Sequence, residues 1–243
     1  MRARSSRRRS RPMERRCLDK LLSLDLLDWI TPWEVDMVVC EVRRNPDRQR
    51  DLAVRTVEYG LEADLILIGD IEDGFVPWDT SDRASTVKRF EDVWRSQPPD
   101  DKFRLGFWLD RTPRGWVRGY ALVARTDLRT RLELAAMDRI LGSGLRGLVG
   151  AEVMRREHRR VQGEFKRARK ARRQLPPGLN GILRAGLYQA FFEIGKVPEG
   201  SEPFRALPTD NVYKSRFAAR SWEGELCLKI TDAGIRRAHR KAG

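Results

Sequence analysis

The ten-residue pattern Leu-x-x-Thr-x-x-Gly-x-x-Arg occurs twice in this 243-residue chain, each time at the end of a run with strand character. The first copy is Leu109, Thr112, Gly115 and Arg118 in FWLDRTPRGWVR, and the second is Leu228, Thr231, Gly234 and Arg237 in LCLKITDAGIRR. The spacing predicts a strand that leaves its sheet through a Thr capping a new helix. Pro113 suits the first helical position and Asp232 the positive end of the helix dipole. A Gly at the third helical position would let each helix lie close to its sheet. Two such corners predict an α+β, predominantly helical fold.

Charge is distributed unevenly around these corners. The total is +14, from 49 basic and 35 acidic residues, which invites a polyanionic partner. Arg outnumbers Lys 40 to 9, a skew that GC-rich codon usage also produces. The distribution is more informative than the total. Residues 1–20 hold nine basic and two acidic residues, and residues 21–120 hold 14 and 20, a net of −6. Residues 121–180 hold 15 and 6, a net of +9, and residues 181–243 hold 11 and 7. An acidic first unit precedes a basic second half.

Cys17, Cys40 and Cys227 show no pairing or metal-ligand spacing, which points to a reducing, cytoplasmic setting. His158 and His239 both sit in Arg-rich stretches and suggest no zinc site. No metal or other cofactor is expected. Apolar runs are too short for a membrane span, and Asp25 and Asp28 interrupt the segment that follows the basic start. Residues 1–17 read as a basic, disordered tail. That tail could find phosphate, could be an idle solvated terminus, or could precede a true start at Met13.

Residues 18–120 read as a compact acidic unit. Leu18, Leu21, Leu22 and Leu26 predict a first helix. Thr31, Pro32 and Glu34 form a capping-box start for a second helix, with Val35, Val38, Val39 and Val42 on one face. Asn45-Pro46 opens a third, with Ala53, Val57 and Leu61 inward. DLILIGDI (64–71) is a strand, Asp73-Gly74 a hairpin turn, and Val87, Phe90 and Trp94 mark a further helix. Three helices followed by a hairpin is the order of a helix-turn-helix with a wing. GDIEDGFVPWD, a short helix containing VW, and GFWLDRTPRG together resemble small actinobacterial proteins of winged-helix type. The resemblance implies a fold and no site residues. Asp47, Asp51, Glu58 and Glu62 offset Arg48, Arg50 and Arg55 on the third helix. Phosphate affinity depends on neutralising charge, so a protein-binding or structural role suits this unit better than DNA reading.

Residues 121–177 read as a basic helical connector between two winged-helix-like units, the second being residues 178–243. In its first helix, residues 128–141, Leu128, Leu132, Ala135 and Arg139 mark one face, with Ala136 and Ile140 beside it. Gly142, Gly144 and Gly147 spell G-x-G-x-x-G, but a helix precedes them where a dinucleotide site needs a strand. From Leu148 to Leu175 a long helix is predicted with Met154, Val161, Phe165, Ala168 and Leu175 as its apolar stripe. Ten Lys or Arg face two Glu over residues 155–173. Such a helix suits a nucleic-acid backbone, acidic lipid or an acidic protein, or is simply a solvated face; its narrow stripe disfavours lipid. VYKSRFAAR and LCLKIT suggest a second wing.

Catalytic patterns fail on geometry. Pro99-Asp100 with Glu164-Phe165-Lys166 imitates a nuclease motif, yet Glu164 and Lys166 fall within a predicted helix, where side chains two apart diverge. Asp70, Glu72 and Asp73 are explained by a hairpin turn. The sequence therefore predicts a non-enzymatic nucleic-acid-binding protein, DNA in preference to RNA. The contact residues are Arg155, Arg156, Arg159, Arg160, Lys166, Arg167, Arg169, Lys170, Arg172 and Arg173, with Lys214, Arg216 and Arg220 from the second wing. Unit 18–120 would serve protein partners or self-association, and no membrane partner is expected. The alternative is an adaptor whose basic surface binds an acidic protein.

Overall fold

Both copies of the repeated pattern sit where a strand hands over to a helix. A computed structural model describes residues 11–24, 26, 28–72, 74–96, 106–143, 148–168, 177, 179–196, 205–206 and 226–242. The chain divides into two compact units between Gly119 and Tyr120. It is mostly helical with two small antiparallel sheets.

The first unit runs α1 (Pro12–Ser23), α2 (Pro32–Val42), α3 (Pro46–Glu62), β1 (Ile66–Ile71), β2 (Phe75–Pro77), α4 (Arg83–Ser96), β3 (Trp108–Arg111) and the start of α5 (Pro113–Val123). Its sheet has the order β2-β1-β3, and Ile30 adds a single antiparallel bridge to Leu109. The capping box at Thr31 forms in full: Thr31 accepts from the Glu34 backbone and Glu34 accepts from the Thr31 backbone. Asn45 caps α3 through the backbone N–H of Arg48 at 3.1 Å. The core gathers Leu18, Leu21 and Leu22 from α1, Val35, Val38 and Val39 from α2, and Leu52, Ala53 and Val57 from α3, over Ile66, Ile68 and Leu109 of the sheet.

The second unit runs α6 (Leu128–Ser143), β4 (Leu148–Gly150), α7 (Ala151–Arg167), α8 (Leu179–Tyr188), β5 (Phe192–Lys196), β6 (Arg205–Ala206), β7 (Leu226–Ile230) and α9 (Asp232–Ala242). Its sheet order is β4-β7-β5-β6. With Ile30 standing for β4, the described elements follow the order of the first unit, apart from α4, whose place between β6 and β7 lies outside the described residues.

The correspondence extends to single atoms. Thr112 Oγ1 accepts from Gly115 N at 3.1 Å and donates to the carbonyl of Asp64 at 2.7 Å. Thr231 Oγ1 accepts from Gly234 N at 3.2 Å and donates to the carbonyl of Ala190 at 2.6 Å. Asp64 and Ala190 are the described non-glycine residues with positive φ, at 53° and 55°. Each follows a helix and precedes a central strand. The closing Arg completes each corner: Arg118 Nε donates to Asp19 at 2.6 Å, and Arg237 donates to both oxygens of Asp138 at 2.5 and 3.2 Å. Each Arg reaches an acid 99 residues upstream, on the first helix of its own unit. The described parts of the two units follow one structural plan.

The copies differ in places. Arg111 is 3% exposed, and its guanidinium donates to the carbonyls of Leu21, Leu22, Leu24 and Asp28 at 2.9–3.3 Å, closing the open end of α1. Ile230 occupies that place in the second unit. Buried Glu14 meets Arg55 at 3.2 Å, whereas buried Glu133 meets Arg129 of its own helix and packs against Gly181.

Four sequence expectations change. Helix α1 starts at Pro12, so residues 12–17 of the segment read as a tail belong to the fold and Cys17 is fully buried; residues 1–10 lie outside the described set. Leu26 falls beyond the end of α1. The segment read as a connector between units belongs to the second unit, where α6 and α7 pack against each other and against α8. Within it, α6 buries Glu133, Ala136, Met137, Ile140 and Leu141, so its inner face is the one read as secondary.

Candidate nucleic-acid interface

Helix α7 begins directly from the edge strand β4, which pairs Val149 with Leu228, with Gly150 as the helix N-cap. The predicted stripe of Met154, Val161 and Phe165 is buried. The helix ends at Arg167, so Ala168 lies just beyond it, and Leu175 lies outside the described residues. Glu157 joins the buried side, held by Arg139 Nε of α6 at 2.5 Å. That ion pair fixes the roll of α7. With the apolar stripe and Glu157 turned inward, Arg155, Arg156, Arg159, Arg160, Lys166 and Arg167 are all exposed.

Six of the thirteen residues expected at the interface are thus described, and they lie on one helix. Arg169, Lys170, Arg172, Arg173, Lys214, Arg216 and Arg220 lie outside the described residues. The wing predicted around VYKSRFAAR falls there too.

The exposed cations have carboxylate neighbours on the same helix. Glu152 lies 3.3 Å from Arg155 and 3.7 Å from Arg159, and Glu164 lies 3.1 Å from Arg160. Arg156 approaches Glu157 at 3.9 Å. Side-chain exposure of these four arginines runs from 45% to 73%. Surface pairs of this kind contribute about 0–1 kcal/mol each, so they yield readily to a competing anion. The helix as a whole carries six Lys or Arg and three Glu, a net of +3. Lys166 and Arg167 also favour its negative C-terminal end.

Other polar groups on α7 are committed. Gln162 donates to the Pro177 carbonyl and lies 3.3 Å from His158 Nε2. Burial pushes the His158 pKa below its ordinary value, against the raising effect of a backbone hydrogen bond with Pro177.

In the first unit the equivalent helix, α2, contains Glu34, Asp36 and Glu41 and no Lys or Arg, a net of −3. One position in the shared plan therefore carries opposite charge in the two units. Helix α3 carries three arginines and four acids, a net of −1: Arg55 is engaged by Glu14, and exposed Arg48 and Arg50 alternate with exposed Asp47 and Asp51. In the second unit α8 carries one charged residue, Arg184. On α9, Arg236 and Arg240 are exposed, but Arg237 is held by Asp138 and lies 4.9 Å over the Phe191 ring.

Patterns considered for catalysis resolve into structure. Glu164 and Lys166 lie on α7. Asp70 accepts from Trp78 Nε1 at 2.8 Å and pairs with Arg89 at 3.4 Å, tying the β1–β2 hairpin to α4. Among the described residues no group of three or more His, Cys, Asp or Glu could hold a metal ion. Nor is any described helix long and apolar enough to cross a membrane. No protein family, curated protein or solved structure matches this chain.

Proposed function

We propose that this chain binds nucleic acid, DNA in preference to RNA, through the second of two winged-helix-like units, and acts by binding rather than by catalysis. The observation that carries the reading is the charge inversion between α2 and α7. A shared packing plan requires only that the inner face of this helix be apolar. Its outer face is free to vary, and in the second unit it presents six cations. Composition alone would spread Arg over both units; here the first unit's equivalent helix has none.

The first unit then serves association or regulation. Trp33, at the start of the acidic α2, is 43% exposed, and an exposed aromatic on a scaffold of this charge suits a protein partner.

Fluorescence anisotropy of the full chain with a labelled duplex at low salt tests the proposal. Binding that weakens steeply with salt, and weakens further in Arg155→Gln/Arg156→Gln/Arg159→Gln/Arg160→Gln, supports it. A full chain that binds no nucleic acid at low salt overturns it. Binding unaffected by the four substitutions removes α7 as the contact surface.

A further inference from the structure

We infer that α7 grips the backbone of double-stranded nucleic acid without reading its bases; this rests on the binding role just proposed. Base selection needs neutral donors and acceptors, or forked cations, aimed into a groove. On α7 the neutral amide, Gln162, is occupied by the Pro177 carbonyl. Helix α8 stands at the third-helix position, where a helix-turn-helix protein carries its reader. It is ten residues long, buries Leu179, Ile182, Leu183 and Ala185, and contributes Arg184 as its only charge. Among its described side chains, Arg184 and Tyr188 are the polar groups that could approach a base.

The cations of α7 instead form rows. Arg155 and Arg159 lie one turn apart, as do Arg156 and Arg160, and Lys166 and Arg167 extend the face at the C-terminal end. From Arg155 to Arg167 the helix rises about 18 Å, a length along which a duplex presents about ten phosphate charges. Single strands are held differently, by aromatic platforms on which bases stack. The sole aromatic residue of α7, Phe165, is buried at 6% exposure. Phosphate density, not base chemistry, is what this face matches.

The test uses the full chain with four probes of equal length: two duplexes of unrelated sequence, an A·T-only duplex and a single strand. Affinities are measured from about 50 to 300 mM salt. The duplexes are expected to agree within about threefold, and six contacts give a log–log salt slope near −5. The single strand, with a shallower slope per contact, should bind about tenfold more weakly at 100 mM. The four Arg→Gln changes on α7 should reduce the duplex slope by about 3 to 4. A control removing four exposed cations from the first unit, Arg44→Gln/Arg48→Gln/Arg50→Gln/Arg83→Gln, should leave the slope within about 1 of the parent.

A preference above tenfold among the duplexes overturns the inference, and loss of A·T-only binding would mean that arginine reads guanine. Tighter binding of the single strand also overturns it. In both cases the wider binding proposal survives. Equal loss of slope in the control shows that net charge, not α7, governs binding.

Discussion

Replacing Gly115 by Ala should destabilise the first unit, although Gly→Ala in a helix ordinarily stabilises by about 1 kcal/mol. A Cβ at Gly115 would stand 1.9 Å from the carbonyl oxygen of Leu65, where real Cβ atoms essentially never come within 3.0 Å. The obstacle is backbone at the entry to β1, so no side-chain rotation relieves it. Helix α5 must withdraw by roughly 1 Å, loosening the Thr112 cap and the Arg118–Asp19 pair with it. Overpacking of this kind costs about 1–3 kcal/mol, and we place Gly115→Ala near the upper end. For a unit of this size that lowers Tm by about 10 °C. Gly234→Ala meets the Phe191 carbonyl at 2.2 Å and should behave alike. Gly163→Ala on α7 meets nothing within 4 Å and should stabilise by about 0.5–1 kcal/mol. Tryptophan fluorescence reports mainly on the first unit, since six of the seven tryptophans precede Gly119. Far-UV circular dichroism follows both units. If Gly115→Ala melts at or above the parent temperature, the tight helix-to-strand approach is wrong.

Other expectations follow from single groups. Arg111→Lys keeps a charge but loses the fork that reaches four carbonyls, and should cost about 2 kcal/mol in urea denaturation followed by tryptophan fluorescence. A loss below about 0.5 kcal/mol would mean that α1 ends without it. In the native protein iodoacetamide should label exposed Cys40 but not buried Cys17 and Cys227, with all three reacting after unfolding; burial also raises the Cys17 thiol pKa. Mass spectrometry counts the adducts, and native labelling of Cys17 contradicts the packing of α1. His158 has a depressed folded-state pKa, so the unfolded chain takes up its proton first as pH falls. Stability contributed by neutral His158 should therefore be full above about pH 7 and decline below its unfolded value near 6.5. His158→Gln should flatten that part of the pH–stability curve, and an unchanged curve would remove the group from the account.

The corners were legible in the sequence because each needs a short-range device: a strand, a capping Thr, a helix. The Thr31 box and the Asn45 cap were legible for the same reason. Longer-range partners were not. Nothing in the sequence ties Arg118 to Asp19 or Arg237 to Asp138 across 99 residues. The left-handed turn at Ala190 carries no Gly or Asn to announce it. The apolar stripe of α7 is legible, but what it packs against is not: Met154, Val161 and Phe165, with Glu157 held by Arg139 of α6, make it the second helix of its unit and not a linker. The inner face of α6 is obscured in the sequence by polar Thr130 and Glu133, both buried. Their burial is made possible by Asp127, which accepts from Thr130 N at 2.7 Å, and by Arg129, 3.0 Å from Glu133.

Arginine modification reads directly where phosphate meets the protein. The full chain is treated with phenylglyoxal, with and without saturating duplex, and each arginine's modification is quantified by peptide mass spectrometry. Arg155, Arg156, Arg159, Arg160 and Arg167 should be protected by duplex, while Arg44, Arg48 and Arg50 react equally in both conditions. Protection of Arg48 and Arg50 with α7 left reactive would place the nucleic acid on the first unit and contradict the account.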